Sequence, residues 1–598
     1  MINKKYIPTP IVEKKNRKKV KMVEKLEARR LSTSYVFLRF LVYFLGVQIR
    51  RFTGKSDIQK TATQLREIFE EFGGFWVKVG QVLALRTDLF PNEICDELRN
   101  LQYEAVGFPF EIARSTIESE LGGPIDQIFE SFDEQPLAAA SIAQVHRAVL
   151  LKKKDKKKKK IPVVVKVQRP GLADTFQRDL DIIKIFIKVL GYLDFSNDVR
   201  WDEFIAELDK TFREELDFRY EAANGRRMKK SLKFHKIYVP EVYQKYCKRK
   251  VLVMEFIEGV LMSDYIQQLR IDRARVKWWD SENDVDRAEV GEKLYVSLLR
   301  QVFEDNLFHA DLHPGNIILL RKSKFVLIDL GSTGTLEAEL RKTYLAYLNG
   351  LSTGDLTKAS DYYIRFGAVD IPKQNISRAR VEIARGFRAW TKRSELQGLS
   401  YREKSLGGST QEVNNVASKY KIPANWDFLK LSRSFLALDG SLQYLLSEVN
   451  TFKLVKKYQK EAGRRSLRNS MRPENVSASF RQFLDILNQY NDLILPQIRQ
   501  RTLPFELTVN RSALTVALIL RSLSSVLLIG GFGTLYVFLY QQYFEIIQPI
   551  NVKVIDEVVR QLPYIPYLEW VGILIAGGLT FRILLGCVNI LERKKFGN

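Results

Sequence analysis

Cysteine and histidine are scarce in this chain, with three and four respectively among 598 residues. Cys95, Cys247 and Cys587 lie far apart and form no CxxC pair, which excludes a cysteine-built zinc site and gives no disulfide framework. Four histidines leave very few ligands for a histidine-rich metal centre. The amino-terminal arm is too long, contains acids and is followed by no small-residue cleavage site, so no secretory signal is predicted. Acidic residues are outnumbered, 70 Asp and Glu against 95 Lys and Arg, for a formal net charge of +25. With 45% hydrophobic and 28% charged residues the chain is not a disordered polymer, and its length implies more than one domain around a real core.

Much of the excess charge is local. Residues 1–30 hold eleven Lys and Arg against three Glu, and the run Lys152–Lys160 holds eight Lys and one Asp. No aromatic interleaving, zinc finger or helix-turn-helix pattern accompanies these clusters, so no nucleic-acid partner is expected. The 152–160 run separates two strand-like stretches and reads as a solvated, extended hairpin turn. The basic arm fits attraction to an anionic membrane surface. The apolar stretch Ser34–Ile49 contains Arg39 and is flanked by Arg29, Arg30, Arg50 and Arg51, which predicts an interfacial or docked helix and no crossing.

The lipid bilayer is expected as a partner because of the carboxyl-terminal region. Ser522–Phe544 is 23 residues long without a charge, enough for a helix to cross a bilayer core. Trp570–Leu591 is a second candidate, interrupted by Arg582, a residue costly at that depth, so one or two spans remain open. The loop between them, Glu545–Glu569, has two basic and four acidic residues, whereas both flanks are basic. The positive-inside rule then predicts a multi-pass membrane protein whose main body lies on the cytoplasmic side. Gly530, Gly531 and Gly533 in the first segment, with Gly572, Ala576, Gly577 and Gly578 in the second, would allow close helix approach.

The chemistry concentrates in Phe308–Gly331, FHADLHPGNIILLRKSKFVLIDLG. Asp311 and Asn316 are five positions apart, and an apolar strand then delivers Asp329, Leu330 and Gly331. Kinases use this spacing to set one carboxylate beside the accepting oxygen while an Asn and a second Asp hold magnesium against nucleotide phosphates. Upstream, PVVVKVQRPG puts Lys166 at the end of a valine run, the place from which kinases reach the α and β phosphates. A rival reading takes His309, Asp311 and His313 as an HxDxH metal triad of a hydrolase. It leaves Lys166 and Asp329 unexplained, and the two histidines then serve as structural members of the catalytic loop.

These motifs, taken in order, make the sequence similar to the UbiB/AarF family of atypical kinases, a branch of the protein-kinase-like superfamily. The resemblance covers about residues 60–450. FWVKVGQVLALRTDLFP resembles the family's KxGQ signature, here Lys78, Gly80 and Gln81. PLAAASIAQVHRA resembles its alanine-rich nucleotide loop, here Ala138, Ala139, Ala140 and Ser141, and ELDFRYEAAN its ExD motif, here Glu215 and Asp217. VLVMEFIEG resembles the hinge strand, which places Glu255 and Ile257 at the adenine. Alanines in place of glycines forbid the backbone conformations that let a loop drape closely over phosphates, so altered nucleotide handling is implied. The resemblance also implies that Lys78 reaches back to the ExD carboxylates and that the amino-terminal helices cover the groove of a protein substrate. Lys166 is expected to pair with Glu221, with Glu215 as the alternative partner. The sequence departs from the family pattern at Ala84, Ala143 and Leu330.

The expected fold is α+β, a two-lobed protein-kinase-like body with an amino-terminal helical extension and a carboxyl-terminal transmembrane helical hairpin. Its segments are 1–55 (basic arm and apolar helix), 56–130 (KxGQ extension), 131–260 (small lobe), 261–510 (large lobe) and 511–598 (membrane anchor). Within the large lobe, 397–418 is polar and turn-rich and reads as a mobile insertion. ATP and Mg²⁺ are the expected cofactors, with Asp311 and Lys166 catalytic and Asn316 and Asp329 holding the metal. The resemblance implies an enzyme that hydrolyses ATP or phosphorylates a small molecule in support of ubiquinone or plastoquinone biosynthesis. Quinone-pathway enzymes or prenylated phenol lipids would then be its partners. A protein kinase acting on Ser or Thr, and a non-catalytic nucleotide-binding scaffold, are the alternatives.

Overall fold

The computed structural model describes residues 4–11, 20, 22, 33–52, 57–86, 90–101, 106–140, 142–154, 157–192, 201–366, 373–420, 422, 425–446, 450–470, 523–527, 530–541 and 562–593. Two compact units divide the chain, Met1–Leu467 and Arg468–Asn598.

The first unit opens with four helices, α1 (Thr33–Phe52), α2 (Ile58–Phe72), α3 (Gly74–Leu83) and α4 (Asn92–Arg99). Asp57 caps α2 by accepting from the Lys60 N–H at 3.1 Å. α1 is docked as expected: Val36 and Phe40 are buried, and Phe40 meets the rings of Phe69, Phe72 and Trp76. Two later helices, α7 (Leu172–Tyr192) and α8 (Trp201–Glu215), complete this core with Phe176, Leu180, Phe204, Leu208 and Phe212.

Between them, α5 (Phe110–Leu121) and α6 (Ile125–Ile128) lead into β1 (Phe129–Phe132), β2 (Ala138–Ala139), β3 (Ala143–Lys154) and β4 (Lys157–Gln168). β5 (Val251–Glu255) follows α9 (Phe218–Leu232), and the sheet runs β1-β3-β4-β5 with β2 on β3, every pairing antiparallel. Period-two alternation decides which way β4 faces. Ile161, Val163, Val165 and Val167 are all buried in a core with Phe108, Ile117, Phe129 and Val253, so Lys166 points to the opposite face of the sheet. The packing cuts across the segments drawn from sequence, because 108–128 packs on the sheet while α7 and α8 join the extension helices.

The lysine run does join two antiparallel strands, but most of it lies in them. Lys152–Lys154 belong to β3 and Lys157–Lys160 to β4, paired from Leu151↔Lys160 to Lys154↔Lys157, so the strands reach further than the extended turn read from sequence. Asp155 and Lys156 lie outside the described residues.

A third and larger core belongs to the helical lobe. β6 (Val260–Leu261), α10 (Met262–Ile271), α11 (Arg273–Asn283) and α12 (Arg287–Arg300) precede β7 (Phe308–His309), β8 (Ile317–Leu320), β9 (Lys324–Leu327) and β10 (Thr333–Gly334). Small antiparallel sheets, β6-β8-β9 and β10-β7, hold the loops that carry Asp311 and Asp329. Then come α13 (Ala338–Thr353), α14 (Leu356–Ile364), α15 (Lys373–Glu395), α16 (Tyr401–Lys404), α17 (Leu406–Lys419), α18 (Trp426–Leu445) and α19 (Thr451–Ser470). The 397–418 segment is therefore packed structure and not an insertion. Tyr401, Leu406 and Val413 are buried in the core, and the Trp390 indole donates to the Lys404 carbonyl at 3.0 Å. Its polarity misled because Ser405 and Ser409 are themselves buried there.

In the second unit two helices are long and apolar enough to cross a membrane, Leu523–Gln541, of which 523–527 and 530–541 are described, and Tyr567–Leu584 within the helix Tyr567–Arg593. They meet through aromatic and amide groups. The Gln541 amide oxygen accepts from the Trp570 indole and the Ile565 N–H, both at 3.2 Å, and Phe538 lies against Trp570. The glycine expectation is overturned: a Cβ at Gly530, Gly531, Gly533, Gly572, Gly577 or Gly578 would meet open space. Residues 511–522, 528–529, 542–561 and 594–598 lie outside the described residues.

Candidate nucleotide site

Lys166 stands in the middle of β4, opposite Val145 on one side and Leu252 on the other. Its ammonium reaches Glu221 on α9 at 2.8 Å and Asp329 at 3.5 Å. Burial pulls Lys166 down, but Asp329 and Glu221 outweigh it and hold its pKa above the ordinary lysine value, so the side chain stays charged. Lys166 in turn overcomes burial at Asp329 and brings that carboxyl to about 2. Glu221 is the partner and Glu215 is not, which resolves the alternative left open by sequence.

Asp329 leaves β9 with a φ of 54°, left-handed backbone that a non-glycine residue rarely adopts. That turn leaves its carboxylate half exposed while Leu330 is buried in the helical core. Leu330 thus packs and does not bind, as its apolar character suggests.

The Asp311 loop is fixed from several directions. His309 is fully buried, its Nδ1 accepts from the Asp311 N–H at 3.1 Å, and its Nε2 donates to the Ile328 carbonyl at 3.1 Å. Burial keeps this imidazole below the usual histidine range, hence neutral. His313 Nδ1 accepts from the Gly315 N–H at 3.0 Å, and Asn316 donates its amide to the Asp311 carbonyl at 3.0 Å. Both nitrogens of His309 are committed, and no group of three metal-ligating side chains occurs among the described residues, so the zinc-triad reading has no support.

Residues without any local motif complete the loop. Gln301 accepts from the His309 N–H at 3.0 Å and Ser434 donates to the His309 carbonyl at 2.6 Å. Arg433, on α18, donates to Asp311 Oδ2 at 3.1 Å. Burial alone would raise the Asp311 carboxyl, but Arg433 foremost, then His313 and Lys78, hold it below the usual range. Nothing in the sequence of α18 marks it as part of the site. A single arginine more than a hundred residues away leaves no spacing to read.

Lys78, on α3, forms an ion pair with Glu215 at 2.7 Å. Its charge helps to lower the carboxyls of both Asp311 and Asp329. Gly80 lets α3 pack closely, since a Cβ there would stand 2.3 Å from Leu101 Cδ1 and 3.1 Å from the Phe69 ring. Gln81 is half-buried on the same helix. Asp217 does not join Lys78: it caps α9 by accepting from the Arg219 N–H at 3.0 Å and pairs with the Arg219 guanidinium at 2.6 Å. Lys430 of α18 bonds Glu207 of α8, and Arg86 lies over the Trp426 ring, so the extension is tied to the helical lobe.

Ala138 and Ala139 pair with Val145 and Gln144, and the Ala140 N–H donates to the Ala143 carbonyl at 2.7 Å. The pairing sets Ala138 two strands from Lys166, about 10 Å across the sheet. Ser141 lies outside the described residues. At the hinge, the Glu255 carboxylate is buried and accepts from the Tyr238 hydroxyl at 2.7 Å and the Glu241 N–H at 3.1 Å, so this side chain fixes the strand. Ile257 is buried against Ile318 and Val326.

An antiparallel sheet lobe, a strand lysine paired to a helix glutamate, and a helical lobe presenting Asp311, Asn316 and Asp329 define a protein-kinase-like arrangement. Residues 100–363 match the ABC1 atypical kinase-like domain. A probable protein kinase UbiB of Tolumonas auensis is 30% identical over 409 residues, covering 67% of this chain and 70% of that protein. Another of Providencia stuartii is 31% identical over 404 residues, covering 66% and 69%. The solved structure of the Rv3197–erythromycin complex from Mycobacterium tuberculosis aligns with a TM-score of 0.43 at 22% identity, over 67% of this chain and 96% of that one. The chain belongs to the UbiB/ABC1 family of atypical kinases.

The residues present suit magnesium and ATP. Asn316 commits its nitrogen to the Asp311 carbonyl, leaving Oδ1 as the amide's remaining ligand, and its own carbonyl accepts from the N–H of Ile328, the neighbour of Asp329, at 3.0 Å. Magnesium takes oxygen ligands and is held by one or two carboxylates together with phosphates, so a protein cage of three acids is not required. Buried Oε1 of Glu221 and Oε2 of Glu215 have no hydrogen-bond partner, leaving two orphaned anionic oxygens beside Lys166 and Lys78.

Proposed function

We propose that this chain is a membrane-anchored, Mg-ATP-dependent atypical kinase or ATPase that supports prenylquinone biosynthesis. The observation that carries the nucleotide reading is the convergence of Lys166, Glu221 and Asp329 within hydrogen-bonding and ion-pair distance, next to an Asp311 loop tied to Asn316. Lys166 orients the α and β phosphates. Asn316 and Asp329 would hold magnesium, which would supply charge neutralisation at the phosphates. Asp311, kept ionised by Arg433, orients or deprotonates the attacking hydroxyl. The family membership and the names of its UbiB relatives support the link to quinone synthesis, with a prenylated phenol as acceptor. Two helices of sufficient length and apolarity support the anchor, and the charge of their flanks favours a cytoplasmic body.

The name probable protein kinase carried by the relatives favours a second reading, in which a peptide hydroxyl is the acceptor. That reading requires α3 to leave, since Lys78 already bonds Glu215 and acts on Asp311. ATP turnover by the full chain in liposomes, with and without quinone-precursor phenols, tests the first reading. Stimulation by the phenol, lost in Asp311→Asn, is expected. Phosphate transfer to a protein with no response to phenols overturns it in favour of the second.

A further inference from the structure

Residues 4–11 lie outside the matched 100–363, yet they are built into the helical lobe. Ile11 is buried within that lobe's core, and its carbonyl accepts from Arg275 Nε at 2.8 Å. Two fully buried side chains of α11 turn to Thr9. The Trp279 indole donates to the Thr9 carbonyl at 2.7 Å, and the Asn283 amide accepts from the Thr9 N–H and donates to its hydroxyl, both at 2.9 Å. Buried polar groups require partners, so Trp279 Nε1 and Asn283 Oδ1 would be orphaned without this segment.

The same segment grips the β8–β9 hairpin. The turn at 321–323 puts Lys322 and Ser323 in left-handed backbone, at φ 61° and 49°, a conformation that non-glycine residues rarely hold unaided. The Arg321 N–H donates to the Tyr6 carbonyl at 3.0 Å and the Lys322 N–H to the Asn283 carbonyl at 2.9 Å. The Lys324 ammonium stands 3.6 Å from the centroid of the Tyr6 ring, a cation–π distance. Tyr6 also packs against the cluster of Ile257, Ile318, Leu320 and Val326, which joins the hinge to both strands of the hairpin. β8 begins immediately after Asn316 and β9 ends two residues before Asp329, so the register of the hairpin sets how those two side chains are spaced.

We infer that Tyr6 is a positioning residue of the nucleotide site: it fixes the hairpin that spaces Asn316 and Asp329, together with the hinge at Ile257. The inference rests on the nucleotide reading proposed above. Asp311 is held separately, by His309 and Arg433, so loosening the hairpin weakens binding of the nucleotide and its divalent ion and spares the step at Asp311. A loss felt equally in the ground and transition states raises KM and leaves kcat unchanged.

The test compares Tyr6→Ala with Tyr6→Phe, which keeps the ring, in the full chain. Without nucleotide, amide hydrogen exchange over 317–327 should quicken several-fold in Tyr6→Ala and not in Tyr6→Phe, while α18 exchanges as in the wild type. KM for Mg-ATP should rise several-fold in Tyr6→Ala with kcat unchanged, and Tyr6→Phe should restore it. Unaltered exchange in the hairpin overturns the inference, as does an unaltered KM. Exchange that quickens equally in α18 marks a general loss of stability and overturns it too. Should Tyr6→Ala not fold, Lys324→Met, which removes only the cation above the ring, carries the same two readouts with the same expected directions. A wild-type chain that turns over no Mg-ATP overturns the nucleotide reading itself, and that measurement on the wild type separates the two failures.

Discussion

Arg433 Nη2 lies 3.1 Å from Asp311 Oδ2, joining α18 to the catalytic loop across 122 residues of sequence. The guanidinium outweighs burial and holds the Asp311 carboxyl below its ordinary range. A carboxylate with a depressed pKa is ionised down to unusually low pH. Arg433→Gln should therefore raise the pKa of Asp311 and move the acid limb of the pH–rate profile upward, with a smaller change on the alkaline side. A Lys at position 433 should restore part of the shift. An acid limb that does not move in Arg433→Gln contradicts the role given to this pair.

Lys166 and Glu221 are both largely buried, 13% and 8% exposed, so neither charge tolerates losing the other. Breaking a buried pair by removing one partner costs about 3–5 kcal/mol. Lys166→Met should lower unfolding stability by that order, and the double variant Lys166→Met with Glu221→Gln should recover much of it while remaining inactive. Denaturant unfolding measures the first effect and ATP turnover the second. Equal stability of the single and double variants would show that the two side chains are not coupled.

Asp217 caps α9, and its work is done by an oxygen accepting from backbone. Asp217→Ala should destabilise the fold by about 1 kcal/mol, whereas Asp217→Asn keeps an accepting oxygen and should lose far less. If Asn behaves like Ala in thermal unfolding, the charge facing Arg219 and not the cap is what matters.

Gly80 gives α3 its close seat against Leu101 and Phe69. Gly80→Ala must push both side chains aside, and overpacking of this kind costs about 1–3 kcal/mol. The reduced stability should appear in denaturant unfolding, together with weakened occlusion of the site read as faster proteolysis within α2–α4.

The site was largely legible because its members sit on local patterns. A valine run carries Lys166 at a fixed strand phase, and five-residue spacing sets Asn316 back onto the Asp311 carbonyl. The helix glutamate could be named only as one of two, since choosing Glu221 over Glu215 depends on where α3 brings Lys78. Arg433, Gln301 and Ser434 were invisible because helix packing alone brings them to the loop. The bonds from Tyr238 and the Glu241 N–H to the Glu255 carboxylate were invisible for the same reason. Buried serines made 397–418 look like a loop, and strand pairing carried on through lysines that sequence alone read as a turn.

The central claim is that Lys166, Asp311, Asn316 and Asp329 serve one nucleotide and its divalent ion. Titration of ATP into the full chain, with and without magnesium, for wild type and Asp329→Asn, tests it most directly. Magnesium should tighten ATP binding to the wild-type chain, and Asp329→Asn should abolish that enhancement and the magnesium-dependent turnover while leaving the unfolding transition cooperative. Undiminished magnesium dependence in a folded Asp329→Asn chain would contradict the account.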